Sequence, residues 1–432
     1  MIPKIPALLL TTIVSTVARF AGVGLNFAVA IVLTRTLSMQ EAGMVFMLMT
    51  LVTGVSLFSR LGVEQWLVRD VARLPEQDVD LQGSYLRDSY RLILLSSGIF
   101  MLGWLILIPL AQHRLFDDAI QALPLAVASS GILFFNLLMM NSAFLKAIRH
   151  TSQSILVQNS LPAIAYMLLL LVGWSFYQQD QGYLLLYTLS LMLAGLASFY
   201  WLRPWLKHLH PRQTTQFSLK AVLQQSLPLA PVSFFSFLML WADTLLTGLL
   251  LKNEDVALFT VAARLSFVSL FFLGALDATI YPRLLKIHKQ QPQQLVRFFW
   301  QATALVAGVL GSVTLLLLVA GNTLLQVFRP EYVQAGPTLN LLLVAQLVRA
   351  LSLTFSFLFI MQDKVRYLNI LLMVALGINI VANTLLIPWL GIEGAAISTL
   401  IANLFLTAGA VILFFKYRLL TSSPLPPKGQ HA

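Results

Sequence analysis

The sequence predicts an all-α, polytopic membrane protein, and three observations lead to this fold class. First, 58% of the 432 residues are hydrophobic and only 10% are charged, with a mean hydropathy of +0.82. Second, the apolar residues fall into twelve stretches, each matching the roughly 20 residues that a helix needs to cross a bilayer. Third, runs such as Leu168–Val172 and Leu315–Ala320 are continuously apolar, whereas the strands of a membrane barrel alternate.

The twelve predicted helices divide into two lobes of six. The first six lie near residues 7–35, 42–67, 90–111, 119–145, 154–177 and 182–202. The second six lie near residues 224–251, 256–281, 296–320, 335–361, 367–388 and 392–416. We therefore expect an N-terminal lobe over residues 1–205, a cytoplasmic linker over 206–223, a C-terminal lobe over 224–418 and a disordered cytoplasmic tail over 419–432.

The basic residues between these helices set the predicted orientation. If both termini are cytoplasmic, twenty of the 28 Lys and Arg residues lie on the cytoplasmic side. Four more lie inside helices, and the opposite side receives only Arg35, Arg114, Lys252 and Arg329. This asymmetry follows the positive-inside rule, and a single missed helix would destroy it. The net charge of +11 is thus explained by topology and gives no reason to expect a nucleic-acid partner.

Several classes of soluble chemistry have no support in the sequence. There is no cysteine, and the six His residues lie in loops, at helix ends or in the tail, without metal-ligand spacing. A glycine-rich phosphate loop and a nucleophile elbow are also absent. Because the connections are short, no aqueous domain is expected, and we predict neither an enzyme nor a cofactor.

Charged residues inside the apolar stretches are the main candidates for function. A charge in hydrocarbon costs about 2.5 to 3.5 kcal/mol or more, so such residues usually face the interior of a helix bundle or a wet cavity. The chain has seven of them: Arg19, Arg60, Glu64, Asp243, Arg264, Asp277 and Arg349.

A weak internal repeat relates the two halves of the chain. An offset of 213 residues sets Leu33-Thr34 on Leu246-Thr247, and it also sets Glu64 on Asp277. Helices 1 and 2 then correspond to helices 7 and 8. Since each half has an even number of helices, the repeats run parallel, an arrangement that favours a transport site between the halves.

Motifs in both halves resemble the polysaccharide transporter family. In the second half these are Leu240–Gly248, Tyr281–Leu284 and Leu386–Pro388 with Gly391–Ser398. In the first half, Thr34–Leu37 with Glu41–Gly43 is similar to the first periplasmic turn of the family. The resemblance covers nearly the whole chain, and one departure is Asp255–Phe259, where the family often has Gly and an aromatic residue.

The resemblance implies a fold and a function. The expected fold is a two-lobed bundle in which helices 1, 2, 7 and 8 line a central cavity that opens alternately to the two sides. The expected function is an inner-membrane flippase that moves polyprenyl-diphosphate-linked oligosaccharide units, such as those of O-antigen for lipopolysaccharide, to the periplasmic leaflet. Expected partners are membrane lipids, the lipid-linked oligosaccharide, and a glycan polymerase with its chain-length machinery.

The embedded arginines suit an anionic head group. The planar guanidinium keeps its charge and offers paired donors to phosphate oxygens. We therefore predict that Arg19, Arg60, Arg264 and Arg349 bind the diphosphate or the sugars. Structural alternatives stay open, because Arg60 and Glu64 are four residues apart and can neutralise one another, and Arg19 and Arg349 can each satisfy an acid on a neighbouring helix.

The embedded acids are candidates for ion coupling or gating: Asp243, Glu64 and Asp277. Asp243 is the best placed for a proton or cation, although it could instead be a permanent partner of Arg264. Glu64 and Asp277 lie near helix ends and could be interfacial or gate residues. Six embedded asparagines either contact sugar hydroxyls or join helices together: Asn26, Asn136, Asn159, Asn379, Asn383 and Asn403.

Two other functions compete with a flippase. An ion-coupled multidrug exporter of the same superfamily would favour acids in its cavity, whereas here four arginines outnumber three acids. A membrane-embedded glycan polymerase or ligase would commonly carry catalytic residues on a sizeable periplasmic loop, and the outer loops here are small and poor in charge.

Overall fold

The computed structural model describes residues 5–75, 78–116, 120–173, 181–207, 218–362 and 364–417. Within these ranges the chain forms helices and no β-strand, which confirms the all-α prediction. The predicted tail over 419–432 and residues 208–217 of the predicted linker lie outside the described residues.

The chain divides into two compact units, and the first comprises Met1–Trp241 with Lys252–Glu254. Its helices are α1 (Ile5–Thr36), α2 (Met39–Ser59), α3 (Val63–Val71), α4 (Val79–Leu115), α5 (Ala122–Ala147), α6 (Thr151–Ile155), α7 (Leu161–Val172), α8 (Gly182–Leu206) and α9 (Leu219–Ser226). A π-helical turn, Leu156–Ser160, joins α6 to α7. The first part of α10 (Ala230–Leu250) also belongs to this unit.

The second unit comprises Ala242–Leu251 and Asp255–Ala432. It contains the rest of α10, then α11 (Asn253–Gln290), α12 (Leu295–Phe328), α13 (Gly336–Met361) and α14 (Val365–Lys416). Short 3-10 turns precede α12 and α13. The lobe boundaries derived from the sequence stay a prediction.

Ten helical segments of the described chain are long and apolar enough to cross a membrane. This supports a multi-pass membrane protein, although the sequence predicts twelve crossings. One reason for the difference lies in α14, which contains the last two predicted helices without an intervening loop. They are separated only at Gly391 (φ +59, ψ −140), a backbone conformation that is open essentially to glycine alone.

The predicted second helix, residues 42–67, is broken in the structure. It begins after Ser38, whose hydroxyl caps the backbone of Glu41 while the Glu41 carboxylate accepts the Ser38 N–H at 2.8 Å, a capping box. The α2 helix then ends at Ser59, and α3 begins at Val63. Gly62 makes the turn with φ +76, and a Cβ there would come within 2.3 Å of the Ser226 carbonyl oxygen. Only glycine satisfies both demands.

Each unit has its own apolar core, and large apolar side chains also cover the outside. In the first unit the core includes Trp66, Phe144 and Val222, which brings α9 against α3 and α5. In the second unit, Phe299 packs against Phe355 and Phe414 with ring centroids 5.4 and 5.6 Å apart. Elsewhere side chains such as Ile106 and Val319 are largely exposed on α4 and α12, which is the surface expected of lipid-facing helices.

Candidate functional site

A buried polar network surrounds Arg60, directly after the end of α2. The Arg60 side chain is only 5% exposed, and its Nε lies 2.9 Å from Glu64 Oε2. Its Nη1 donates to Asn136 Oδ1 on α5 at 3.3 Å. The Asn136 amide in turn donates to the hydroxyls of Ser59 and Ser97 at 2.6 and 2.8 Å. The charge of Arg60 is therefore neutralised, and the network joins α2, α4 and α5.

Glu64 extends this network to α10. Its second carboxylate oxygen, Oε1, accepts from Gln65 Nε2 at 3.0 Å and from the Ser233 hydroxyl at 3.4 Å. The Gln65 amide also bonds the same Ser233 hydroxyl. Nearby, Phe58 on α2 packs against Phe234 with ring centroids 4.7 Å apart. The first part of α10 is thus attached to the first unit by both polar and aromatic contacts.

A second polar centre lies in the second unit, around Asp243 of α10. The Asp243 Oδ1 atom accepts hydrogen bonds from the side-chain amides of Asn379 at 2.9 Å and Asn383 at 2.7 Å. Its Oδ2 atom accepts from the Thr399 hydroxyl at 2.6 Å. We call these four residues the Asp243 cage. The two asparagines are four residues apart and so share one face of α14, while Thr399 lies beyond the break at Gly391.

The Asp243 cage is suited to hold a proton or a small cation. Its three described donors are neutral, so they support an ionised carboxylate without cancelling its charge. The Asp243 residue is half-buried, and its carboxylate is enclosed by these three side chains. The Asn383 Oδ1 atom is buried without a hydrogen-bond partner, and a rotation of this amide would present its oxygen beside the carboxylate. Oxygen atoms of this kind are the ligands that hard cations take.

The other predicted site residues lie in different surroundings. Arg19 is exposed on α1, Arg264 is half-buried on α11 and Arg349 is half-buried on α13. Asp277 falls within α11, but its side chain lies outside the described residues. The structure therefore groups Arg60 with Glu64 in the first unit and places Asp243 in a separate centre in the second.

Some of these partners were visible in the sequence and others were not. Asn136, Asn379 and Asn383 were candidates, and in the structure each one joins helices. Thr399 and Ser233 gave no signal, since hydroxyls in apolar helices usually bond their own backbone. Within the described ranges, no group of three or more His, Cys, Asp or Glu residues could hold a metal ion.

Comparison with known proteins gives two sequence matches. A family model described as "Polysaccharide biosynthesis protein" matches residues 8–288. The probable flippase AglR of Haloferax volcanii is 25% identical over 181 residues, which are 40% of this chain and 36% of AglR. The match thus spans about a third of that relative's length.

Solved structures match over nearly the whole chain. An inward-facing multidrug resistance transporter of the MATE family, in the MOP superfamily, gives a TM-score of 0.69 at 16% identity, covering 94% of this chain and 98% of that one. The lipid II flippase MurJ in an inward closed conformation gives 0.71 at 13% identity, covering 95% and 87%. At these identities the likeness concerns the fold alone.

Proposed function

Because the chain belongs to the polysaccharide biosynthesis protein family, we propose that it is a flippase-type transporter that moves a lipid-linked glycan across the membrane by alternating access. Its membership confirms the family resemblance recognised in the sequence. The fold of the MOP transporters and the match to a probable flippase support the proposal.

We propose a polyprenyl-diphosphate-linked oligosaccharide as the substrate, carried from the cytoplasmic to the periplasmic leaflet. The observation that carries this proposal is the set of four arginines in apolar helices, since a diphosphate needs persistent positive charge and paired donors. Arg19 and Arg349 are the first candidates for diphosphate binding, because one is exposed and the other half-buried. Arg60 is less available, because Glu64 and Asn136 already occupy its guanidinium.

We further propose that the Asp243 cage couples transport to an ion. A carboxylate that takes up a proton or a cation changes the charge of the second unit. An ion that binds one conformation of the transporter more tightly than the other then shifts the equilibrium between the two conformations. Glu64 and Asp277 remain candidates for gating, and Glu64 already bonds a residue of α10.

An ion-coupled multidrug exporter is the second candidate, because the Asp243 cage would serve either substrate. The two functions differ in the charge that the transported molecule carries. An exporter of cationic drugs would have to accommodate embedded arginines such as Arg19 and Arg349, whereas a diphosphate is attracted by them. The flippase is therefore the better supported of the two.

The deciding experiment follows lipid-linked oligosaccharide in cells that lack this protein. Periplasmic accessibility of the glycan is the readout, and the intact gene is returned as the control. Accumulation on the cytoplasmic leaflet that the gene reverses supports a flippase. Normal glycan export in a strain without another flippase, together with altered drug resistance, would instead favour the exporter.

The proposed orientation, with both termini cytoplasmic in the inner membrane, can be measured separately. The chain has no cysteine, so a single cysteine can be placed at any position and labelled from one side. A cysteine at position 208 is expected to react only from the cytoplasm. Labelling from the outside would overturn the orientation.

A further inference from the structure

A pocket of about 320 Å³ lies within the first unit. Glu64, the partner of Arg60, lines it, but none of the four embedded arginines does. We call it the α3–α5 pocket. Its volume is at the lower end of the range for small-molecule sites, roughly 300 to 1,000 Å³, so it has room for a small part of an oligosaccharide. It is lined by Glu64, Gln65, Val68 and Arg69 of α3, by Met139, Ser142, Ala143 and Lys146 of α5, and by Gln158 of the π-helical turn.

The charges around the α3–α5 pocket leave one cation without a counter-ion. Glu64 is paired with Arg60, and Arg69 makes a two-point contact with Asp70, from Nε at 2.6 Å and from Nη2 at 3.1 Å. Lys146 is exposed, and among the described residues no ion pair or hydrogen bond reaches it. The pocket therefore carries an excess of about one positive charge, enough to balance one carboxylate but not a diphosphate.

The neutral groups of the α3–α5 pocket match the other features of a sugar. Gln158 presents an exposed amide from the π-helical turn, where the extra residue of the turn alters the direction of the side chains. Gln65 Oε1 is a buried acceptor without a partner, and such atoms call for a donor. Val68, Met139 and Ala143 add an apolar surface for the C–H face of a sugar ring.

We infer that the α3–α5 pocket is a subsite for an acidic sugar, whose carboxylate pairs with Lys146 while its hydroxyls bond Gln65 and Gln158. This inference rests on the proposed function, since the sugar would be a unit of the lipid-linked glycan. By the positive-inside rule the pocket lies at the cytoplasmic end of the bundle, beside the leaflet from which the glycan is taken. It therefore selects the glycan before translocation.

The test uses the purified full chain in detergent, with Gln158→Cys as the only cysteine. Its reaction rate is measured with an anionic and with a cationic methanethiosulfonate reagent. One ammonium at about 4 Å in water changes the local concentration of a univalent reagent by about fivefold, upwards for an anion and downwards for a cation. Once each rate is divided by the reagent's rate with a free thiol, the anionic reagent is therefore expected to react faster than the cationic one by a factor of about 25. Methyl β-D-glucuronide is expected to slow the reaction, whereas methyl β-D-glucoside at the same concentration leaves it unchanged.

Two further variants make the result specific. Lys146→Gln in the same background is expected to abolish both the preference for the anionic reagent and the protection by the glucuronide. Lys220→Gln removes an exposed lysine of α9 that does not line the pocket and is expected to change neither. Val68→Cys is a second reporter on the pocket wall that changes no charge, which keeps the test decisive if the first variant does not fold.

Each alternative outcome overturns the inference. Protection by the glucoside means that the carboxylate is not recognised, and equal protection by inorganic phosphate means a general anion site. No protection by the glucuronide at either reporter means that no acidic sugar binds. Because the assay needs no transport, a failure here is separate from a failure of flipping, which the cell experiment measures.

Discussion

Substitution of Glu64 by Gln tests whether Arg60 is a structural or a substrate-binding residue. The variant leaves the guanidinium, 5% exposed, without its counter-ion. Breaking a fully buried pair costs about 3 to 5 kcal/mol. The Glu64 side chain is 23% exposed, so water reaches the pair and this cost is reduced. We expect a loss of about 2 to 3 kcal/mol.

The companion substitutions are expected to have unequal effects. Arg60→Met leaves Glu64 with two described donors, Gln65 and Ser233, and with access to water, so it should cost only about 1 to 2 kcal/mol. The double variant, Arg60→Met with Glu64→Gln, removes both charges. Its main remaining cost is the lost hydrogen bond to Asn136 Oδ1, about 1 kcal/mol. The double variant should therefore be more stable than Glu64→Gln alone.

The assay is thermal unfolding in detergent, followed by tryptophan fluorescence, together with glycan export in cells. At about 2 to 4 °C per kcal/mol, Glu64→Gln should lower the midpoint by about 4 to 12 °C, and the double variant should recover much of this loss. If Glu64→Gln unfolds at the same temperature as the parent, the reasoning about a buried pair is refuted. If Arg60→Met folds but exports no glycan, while Glu64→Gln still exports it, Arg60 binds substrate and a purely structural role is refuted.

Four other predictions follow from the same structure. Asp243→Asn should remove the dependence of transport on the coupling ion while the protein remains in the membrane, as measured by transport at varied pH and sodium concentration. Thr399→Val removes a charge-assisted hydrogen bond, worth about 1.5 to 3 kcal/mol, that stabilises the free carboxylate, so the coupling ion should bind more tightly and half-maximal transport should need an ion concentration about tenfold to a hundredfold lower. Arg19→Ala and Arg349→Ala should abolish glycan export at unchanged protein level, as measured by periplasmic glycan and immunoblotting. Gly62→Ala should destabilise the protein by more than about 1 kcal/mol because of its positive φ and the nearby Ser226 carbonyl, as measured by thermal unfolding.

Matched controls exist for three of these predictions. Thr384→Val removes an exposed hydroxyl of α14 that bonds its own helix, Gly24→Ala adds a methyl group where nothing lies within 4 Å, and Arg297→Ala removes an exposed arginine at the start of α12. None should reproduce the effect of its partner. Each prediction has an outcome that would contradict it. For Asp243→Asn this is a retained ion dependence, and for Thr399→Val it is an effect equal to that of Thr384→Val. For the two arginine variants it is loss of folded protein, and for Gly62→Ala it is unchanged stability.

The sequence was sufficient to predict the fold class, because a lipid bilayer admits few kinds of fold. Apolar stretches of bilayer length form helices, because a helix satisfies its own backbone hydrogen bonds in lipid. Several observed helices begin and end close to the predicted bounds, whereas α4 begins earlier, at Val79, and α11 and α12 extend further, to Gln290 and Phe328. The breaks were harder to foresee. The turn at Gly62 depends on the close approach of Ser226 and Ala230, contacts between residues more than 160 positions apart, which hydropathy does not encode.

The candidate sites were only partly predictable for a similar reason. The pairing of Arg60 with Glu64 could be read from their spacing as one of two alternatives, because residues four apart share a helix face. The Asp243 cage instead depends on two asparagines and a threonine of α14, more than 130 positions away. The asparagines were recognised as embedded polar residues, but their common partner could be found only once the helices were in place.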